Sequence, residues 1–170
     1  MMRIAITGRP GIGKTTACKK VYDALKDKIN IEGFVTIEVR EKGKRIGFKI
    51  KELGTNNESW LARIGNGNVR VGKYAVCVEA VDEISEKISK YDADLIIIDE
   101  IGPMELKSEK FVESIEELIK RKDNLLFSIH LKSRHPLLQK IRKTFNVFVL
   151  DEKNRNHVVE KIAKMFYDNK

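Results

Sequence analysis

Cysteine is scarce in this sequence: 170 residues hold only Cys18 and Cys77. The two thiols stand far apart, without the spacing of a metal knuckle or a redox pair, so a reduced, cytoplasmic setting is expected. His130, His135 and His157 have no ligand-like spacing with them either, which argues against a zinc site. Long apolar runs are missing too. No stretch approaches the roughly 18 residues needed to span a bilayer, so no membrane partner is expected. The apolar start at Arg3 is short and leads straight into a motif, unlike a signal peptide. Repeats, low-complexity tracts and Pro/Gly-rich linkers are also absent, and residues 1–170 read as a single domain. Glutamine occurs once, at Gln139, while Lys, Glu and Ile are frequent; that balance leans toward a thermophilic source.

What is present fits a folded protein: 42% hydrophobic and 34% charged residues. The net charge of +8 calls for a partner. A nucleotide polyphosphate selects for nearby Lys and Arg, and nucleic acid is the less favoured alternative.

Periodicity predicts an apolar strand over 3–7, ended by Gly8 and Pro10, and a helix from near Gly13 with Ala17, Val21, Ala24, Leu25 and Ile29 along one face. Residues 33–40 and 45–53 read as a β-hairpin turning at Gly43. Residues 54–72 read as loops and short strands. A strand over 74–78 and a helix over 81–91 follow. Leu95-Ile96-Ile97-Ile98 is a continuous aliphatic run, as in a strand buried on both faces. The remainder alternates: helix 108–122, strand 125–129, helix 133–143, strand 145–150, helix 154–167. The predicted class is α/β with a mainly parallel sheet, into which the hairpin is inserted.

Gly8-Arg9-Pro10-Gly11-Ile12-Gly13-Lys14-Thr15 matches a P-loop, and it follows a predicted strand and opens a predicted helix. The glycines let successive backbone N–H groups point at phosphate oxygens, and the helix N-terminus adds its positive end. Lys14 would neutralise phosphate charge, the Thr15 hydroxyl would ligate Mg2+, and Arg9 and Thr16 are further phosphate contacts. The second half of such a site is an acid closing a neighbouring buried strand. Asp99 follows the aliphatic run and is the second predicted magnesium ligand. Glu100, next to it, is the predicted catalytic base for water, with Lys14 as its catalytic partner. Asn154 and Arg155 follow the last strand and are predicted to contact the nucleotide base.

Five segments resemble the small THEP-type nucleoside-triphosphatases of archaea, bacteria and animals, whose human member is called the cancer-related nucleoside-triphosphatase. They are residues 8–16, 33–40 continuing to 45–48, Arg70-Val71-Gly72-Lys73-Tyr74, Asp99-Glu100-Ile101-Gly102-Pro103-Met104-Glu105-Leu106, and Asn154-Arg155-Asn156. The resemblance implies a P-loop three-layer sandwich, RecA-like or nucleotide-kinase-like. It also implies Mg2+-dependent hydrolysis of ATP, GTP, CTP and UTP with little base discrimination and slow turnover. Ile37 departs from the acid expected in that family.

Arg40, Lys42, Lys44, Arg45, Lys49 and Lys51 make the hairpin the densest basic cluster. Alternation puts the lysines on a solvent face, while Arg40 and Arg45 are candidates for the active site. Arg155, Arg134 and Arg70 are candidates for an arginine that reaches the transition state. His130, just after strand 125–129, is placed to sense the γ-phosphate. Two other functions compete with hydrolysis. One is a kinase acting on a small acceptor, and the other a nucleotide-regulated RNA-binding or switch protein.

Overall fold

The computed structural model describes residues 1–170. Strand β1 (Arg3–Thr7) runs into the glycine loop and helix α1 (Lys14–Leu25). Strands β2 (Ile31–Glu41) and β3 (Lys44–Glu52) form the hairpin, followed by β4 (Glu58–Ile64), β5 (Arg70–Val71) and β6 (Tyr74–Val76). Then come α2 (Val78–Ile88), β7 (Leu95–Ile101), a 3-10 turn at Glu105–Lys107, and α3 (Glu109–Lys120). Strand β8 (Leu125–Ile129), α4 (Pro136–Thr144), β9 (Asn146–Val149) and α5 (Arg155–Asp168) complete the chain.

All nine strands join one sheet in the order β5-β6-β4-β3-β2-β7-β8-β1-β9. The half from β2 to β9 is parallel, as the aliphatic runs predicted, and the half from β3 to β5 is antiparallel. Strand β2 belongs to both halves: it pairs in parallel with β7 and turns back on β3. The predicted insertion is therefore a lateral extension of the sheet.

Alternation along β7 explains the three layers. Ile96 and Ile98 face a core shared with α2, α3 and α4, whereas Leu95 and Ile97 face a second core built on α1 and α5. A strand covered on both sides has no polar face to offer, and each fully buried aliphatic side chain contributes about 1.5–3 kcal/mol. No helix is long and apolar enough to cross a membrane.

Several boundaries differ from the periodicity for local reasons. Helix α3 starts at Glu109 because the Ser108 hydroxyl accepts from Phe111 N at 3.1 Å and caps it. Helix α4 starts at Pro136, a residue suited to a first turn, with His135 Nδ1 accepting from Leu137 N at 3.1 Å. Strand β4 is longer than residues 54–72 led one to expect. Its Leu61 and Ala62 are buried, while its polar residues lie on the rim.

Gly33 is paired with Ile97 where β2 lies beside β7. A Cβ there would lie 1.9 Å from the Ile97 carbonyl oxygen, and the backbone φ is +144°. Gly33→Ala must push two central strands apart, so it is expected to destabilise the fold by at least about 2 kcal/mol in denaturant titration.

Candidate active site

Two parallel strands deliver the reacting groups to one end of the sheet. The glycine loop leaves β1, and Asp99 and Glu100 lie near the C-terminal end of β7, just before its last residue, Ile101. The acids are not on the strand adjacent to β1, as the P-loop reading expected: β8 lies between. That strand has one polar residue, Ser128, in an otherwise apolar run, and its hydroxyl bonds to Asp99 Oδ1 across the gap. On the other flank, Thr36 N donates to Asp99 Oδ2 at 3.1 Å and the Thr36 hydroxyl to the Asp99 carbonyl at 2.9 Å. The Thr15 hydroxyl stands near enough to the Asp99 carboxylate to favour its charged form. A fully buried carboxylate is thus held from both flanking strands.

At the loop, Gly13 adopts φ +112° immediately before α1, a left-handed turn that delivers the next residues inward. Lys14 is buried. Its ammonium lies 3.2 Å from Glu100 Oε2 and 3.3 Å from the Gly8 carbonyl oxygen. Lys14 and Glu100 therefore share one site, with Thr15 lining the same cleft and Asp99 next to Glu100. Pro10, Gly11, Gly13 and Thr16 line the same cleft, which measures about 760 Å³. Ile12 anchors the loop by packing into the core.

The other predicted residues take different positions. The Arg9 guanidinium donates to Glu152 at 2.5 Å on the surface. Asn154 closes a turn: its Oδ1 accepts from Asp151 N at 2.8 Å and its Nδ2 donates to the Val149 carbonyl at 2.9 Å. Arg155 reaches back to the loop, donating to the Ile12 carbonyl at 3.3 Å. Arg70 is spent on the carbonyls of Gly65 and Lys73. Arg40 pairs with Glu38 at 2.6 Å. Lys49 lies 4.8 Å from the centre of the Trp60 ring and pairs with Glu58.

Three side chains escaped the sequence reading. Ser128 carried a signal, a lone hydroxyl in an aliphatic strand. Glu105 lies in the Met-Glu of the quoted motif, yet its burial shows only in three dimensions; Oε1 accepts from Gly102 N at 3.2 Å and the residue lines the cleft. Arg142 carries no motif. It donates to the carbonyls of Ser133, His130 and Leu131 and so fixes the turn after β8. That turn presents His130 to the cleft with Nδ1 already accepting from Lys132 N and Ser133 N.

Burial dominates the electrostatics. It pushes Asp99 up to about 6, aided by the Glu100 charge and opposed by the hydrogen bonds from Ser128 and Thr36 and by the nearby Thr15 hydroxyl. Burial likewise raises Glu105 well above the usual carboxylate range, with Glu100 and Asp99 adding repulsion. The His130 imidazole is lowered, mainly by burial. Acids raised in the folded state hold protons more tightly there than when unfolded. They stabilise the fold in acid, and this contribution is lost as pH rises from near 3.8 through about 6 for Asp99. The nucleotide-free protein is therefore expected to lose up to about 3 kcal/mol over that window, measured by denaturation at successive pH values. Asp99→Asn should flatten the profile.

Asp99 and Thr15 offer two adjacent hard oxygens. That suits Mg2+, which takes one or two protein oxygens and completes its shell with phosphates and water.

With the geometry established, comparison with known proteins decides the family. A family model described as NTPase matches residues 3–163. The nucleoside-triphosphatase THEP1 of Archaeoglobus fulgidus is 57% identical over 164 residues, covering 96% of this chain and 98% of that one. This chain belongs to the THEP1 nucleoside-triphosphatase family. The THEP1 of Methanocaldococcus jannaschii is 44% identical, covering 95% of each chain. Two solved structures share the fold. The crystal structure of THEP1 from Aquifex aeolicus aligns with TM-score 0.80 at 30% identity, covering 97% of this chain and 99% of that one. The solution structure of a human cancer-related nucleoside triphosphatase aligns with TM-score 0.84 at 30% identity over 100% of both. The P-loop three-layer architecture of the THEP1 family is thus the architecture of this chain.

Proposed function

We propose that this chain hydrolyses the terminal phosphate of nucleoside triphosphates, slowly, with Mg2+ and with little preference among bases. The observation that carries the reading is the Lys14–Glu100 contact of 3.2 Å at the mouth of the glycine loop, beside the buried Asp99. A triphosphate in the loop would compete with Glu100 for the Lys14 ammonium. Its arrival frees a half-exposed carboxylate next to the γ-phosphate, where it can orient a water and accept its proton. Lys14 then neutralises charge on the phosphoryl group as the bond to the leaving diphosphate breaks. Thr15 and Asp99 would hold the Mg2+, which supplies charge neutralisation on the phosphate oxygens.

Low base discrimination is consistent with the turn at 151–155. The Asn154 amide is engaged on both its oxygen and its nitrogen, so it has little left to read a base edge. Slow turnover is consistent with two of the candidate arginines, Arg70 and Arg155, being bonded to backbone carbonyls. An arginine that reaches the transition state is worth about a thousandfold or more.

Phosphate release from ATP, GTP, CTP and UTP at elevated temperature tests the reading. Rates are expected within about tenfold of one another, at the slow end of enzyme turnover, below about 1 per second, and to be abolished by chelation. Hydrolysis confined to one base, or indifferent to chelation, would contradict it.

A further inference from the structure

The cleft, at about 760 Å³, is far larger than a phosphate tail requires and matches the size of a small-molecule pocket. It extends away from the loop toward the antiparallel half of the sheet. Glu152, Asn154 and Arg155, at the predicted base side, do not line it. The cleft therefore continues beyond the position of the terminal phosphate.

The far wall has its own chemistry. Phe48, Leu61, Val71 and Met104 supply apolar surface, and buried Tyr74 meets Phe48 edge to face with ring centres 5.4 Å apart. Over these rings lies Arg45, its Cζ 5.2 Å from the centre of Phe48 and 5.7 Å from that of Tyr74. Its Nε donates to the Tyr74 hydroxyl at 2.8 Å, which fixes the guanidinium plane. The two terminal nitrogens are left for a ligand, because Arg45 forms no ion pair with any acid of the chain. The Lys73 ammonium stands 5.6 Å from the centre of the Tyr74 ring, also without an acidic partner. A planar guanidinium with a free edge matches the oxygens of a phosphate, and aromatic walls match a planar ring. Hydrolysis needs neither.

We propose that this far half of the cleft is an acceptor subsite for an anionic ring compound of the nucleoside monophosphate class, to which the chain transfers the γ-phosphoryl group in addition to water. The proposal rests on the reading that seats the terminal phosphate between Lys14 and Glu100. An acceptor phosphate oxygen forms the new bond to the γ-phosphorus. The bond from that phosphorus to the β,γ-bridging oxygen breaks, and the nucleoside diphosphate leaves with its electron pair. An ionised acceptor oxygen has no proton to lose; a protonated one gives it to Glu100.

The test uses γ-labelled ATP with Mg2+ and AMP, CMP, GMP or UMP as acceptor. The parent nucleosides supply the ring without the anion, and ribose 5-phosphate supplies the anion without the ring. Labelled acceptor product and free phosphate are counted in the same reaction. At least one monophosphate should yield labelled diphosphate about tenfold or more faster than its nucleoside or ribose 5-phosphate, as expected for a charge-assisted anchor. Arg45→Met should raise the KM for that monophosphate about tenfold, with kcat for transfer changed less than about threefold, and Arg45→Lys should restore part of the loss. Phosphate release without labelled product from any monophosphate overturns the acceptor subsite and leaves hydrolysis standing. A labelled product whose KM ignores Arg45→Met overturns it as well, as does equal transfer to bare nucleosides. Neither free phosphate nor labelled product would overturn both readings.

Discussion

Glu100→Gln is expected to bind nucleotide at least as tightly as the parent chain while releasing phosphate about 10²–10⁴-fold more slowly. Both effects come from the same contact. In the free protein Glu100 neutralises the Lys14 ammonium at 3.2 Å, so it competes with the phosphates. The amide keeps the shape of the side chain but surrenders both the charge that competes and the basicity that accepts a proton from water. Equilibrium binding of a triphosphate, together with single-turnover phosphate release, separates the two consequences. Unchanged turnover would remove Glu100 from the chemistry, and weakened binding would show that its contact with Lys14 helps hold the loop in shape.

Lys14→Met should have the opposite binding signature. It keeps most of the buried aliphatic stem and deletes the ammonium that pairs with Glu100. Nucleotide affinity should fall, and kcat should drop by about 10²–10³, the usual cost of losing one preorganised charge at a developing anion. The free protein should also lose stability. Glu100 is partly exposed, so solvent tempers the loss to on the order of 1 kcal/mol at neutral pH, smaller than for a fully buried pair. Thermal melting of both proteins at neutral pH measures it.

How far the sequence carried the structure depends on the range of each signal. The glycine loop and the aliphatic run ending in Asp99-Glu100 are local patterns, each requiring its backbone shape, and both formed as read. The parallel half of the sheet was legible for the same reason, since strands buried on two faces cannot alternate. The order of the strands was not, because nothing local in Leu125–Ile129 says that it lies between β1 and β7. Ser128 hinted at it, as a hydroxyl in an apolar strand has to find a partner. The far wall of the cleft was hidden more deeply. Arg45 and Phe48 lie on β3 and Tyr74 on β6; Arg45 stood out among the basic residues of the hairpin, but nothing local pairs it with Tyr74. Only pairing through β4 brings Tyr74 beneath Arg45. Glu105 was named as part of a motif, but its burial follows from the 3-10 turn folding its carboxylate back onto Gly102 N.

Hydrolysis as proposed turns on a single exchange of partners at Lys14. A structure of the chain with Mg2+ and a non-hydrolysable triphosphate measures it directly. The β- and γ-phosphate oxygens should lie within about 3 Å of the Lys14 ammonium, with the Glu100 carboxylate released toward the γ-phosphate. A triphosphate bound elsewhere, with the Lys14–Glu100 pair intact, would contradict this exchange.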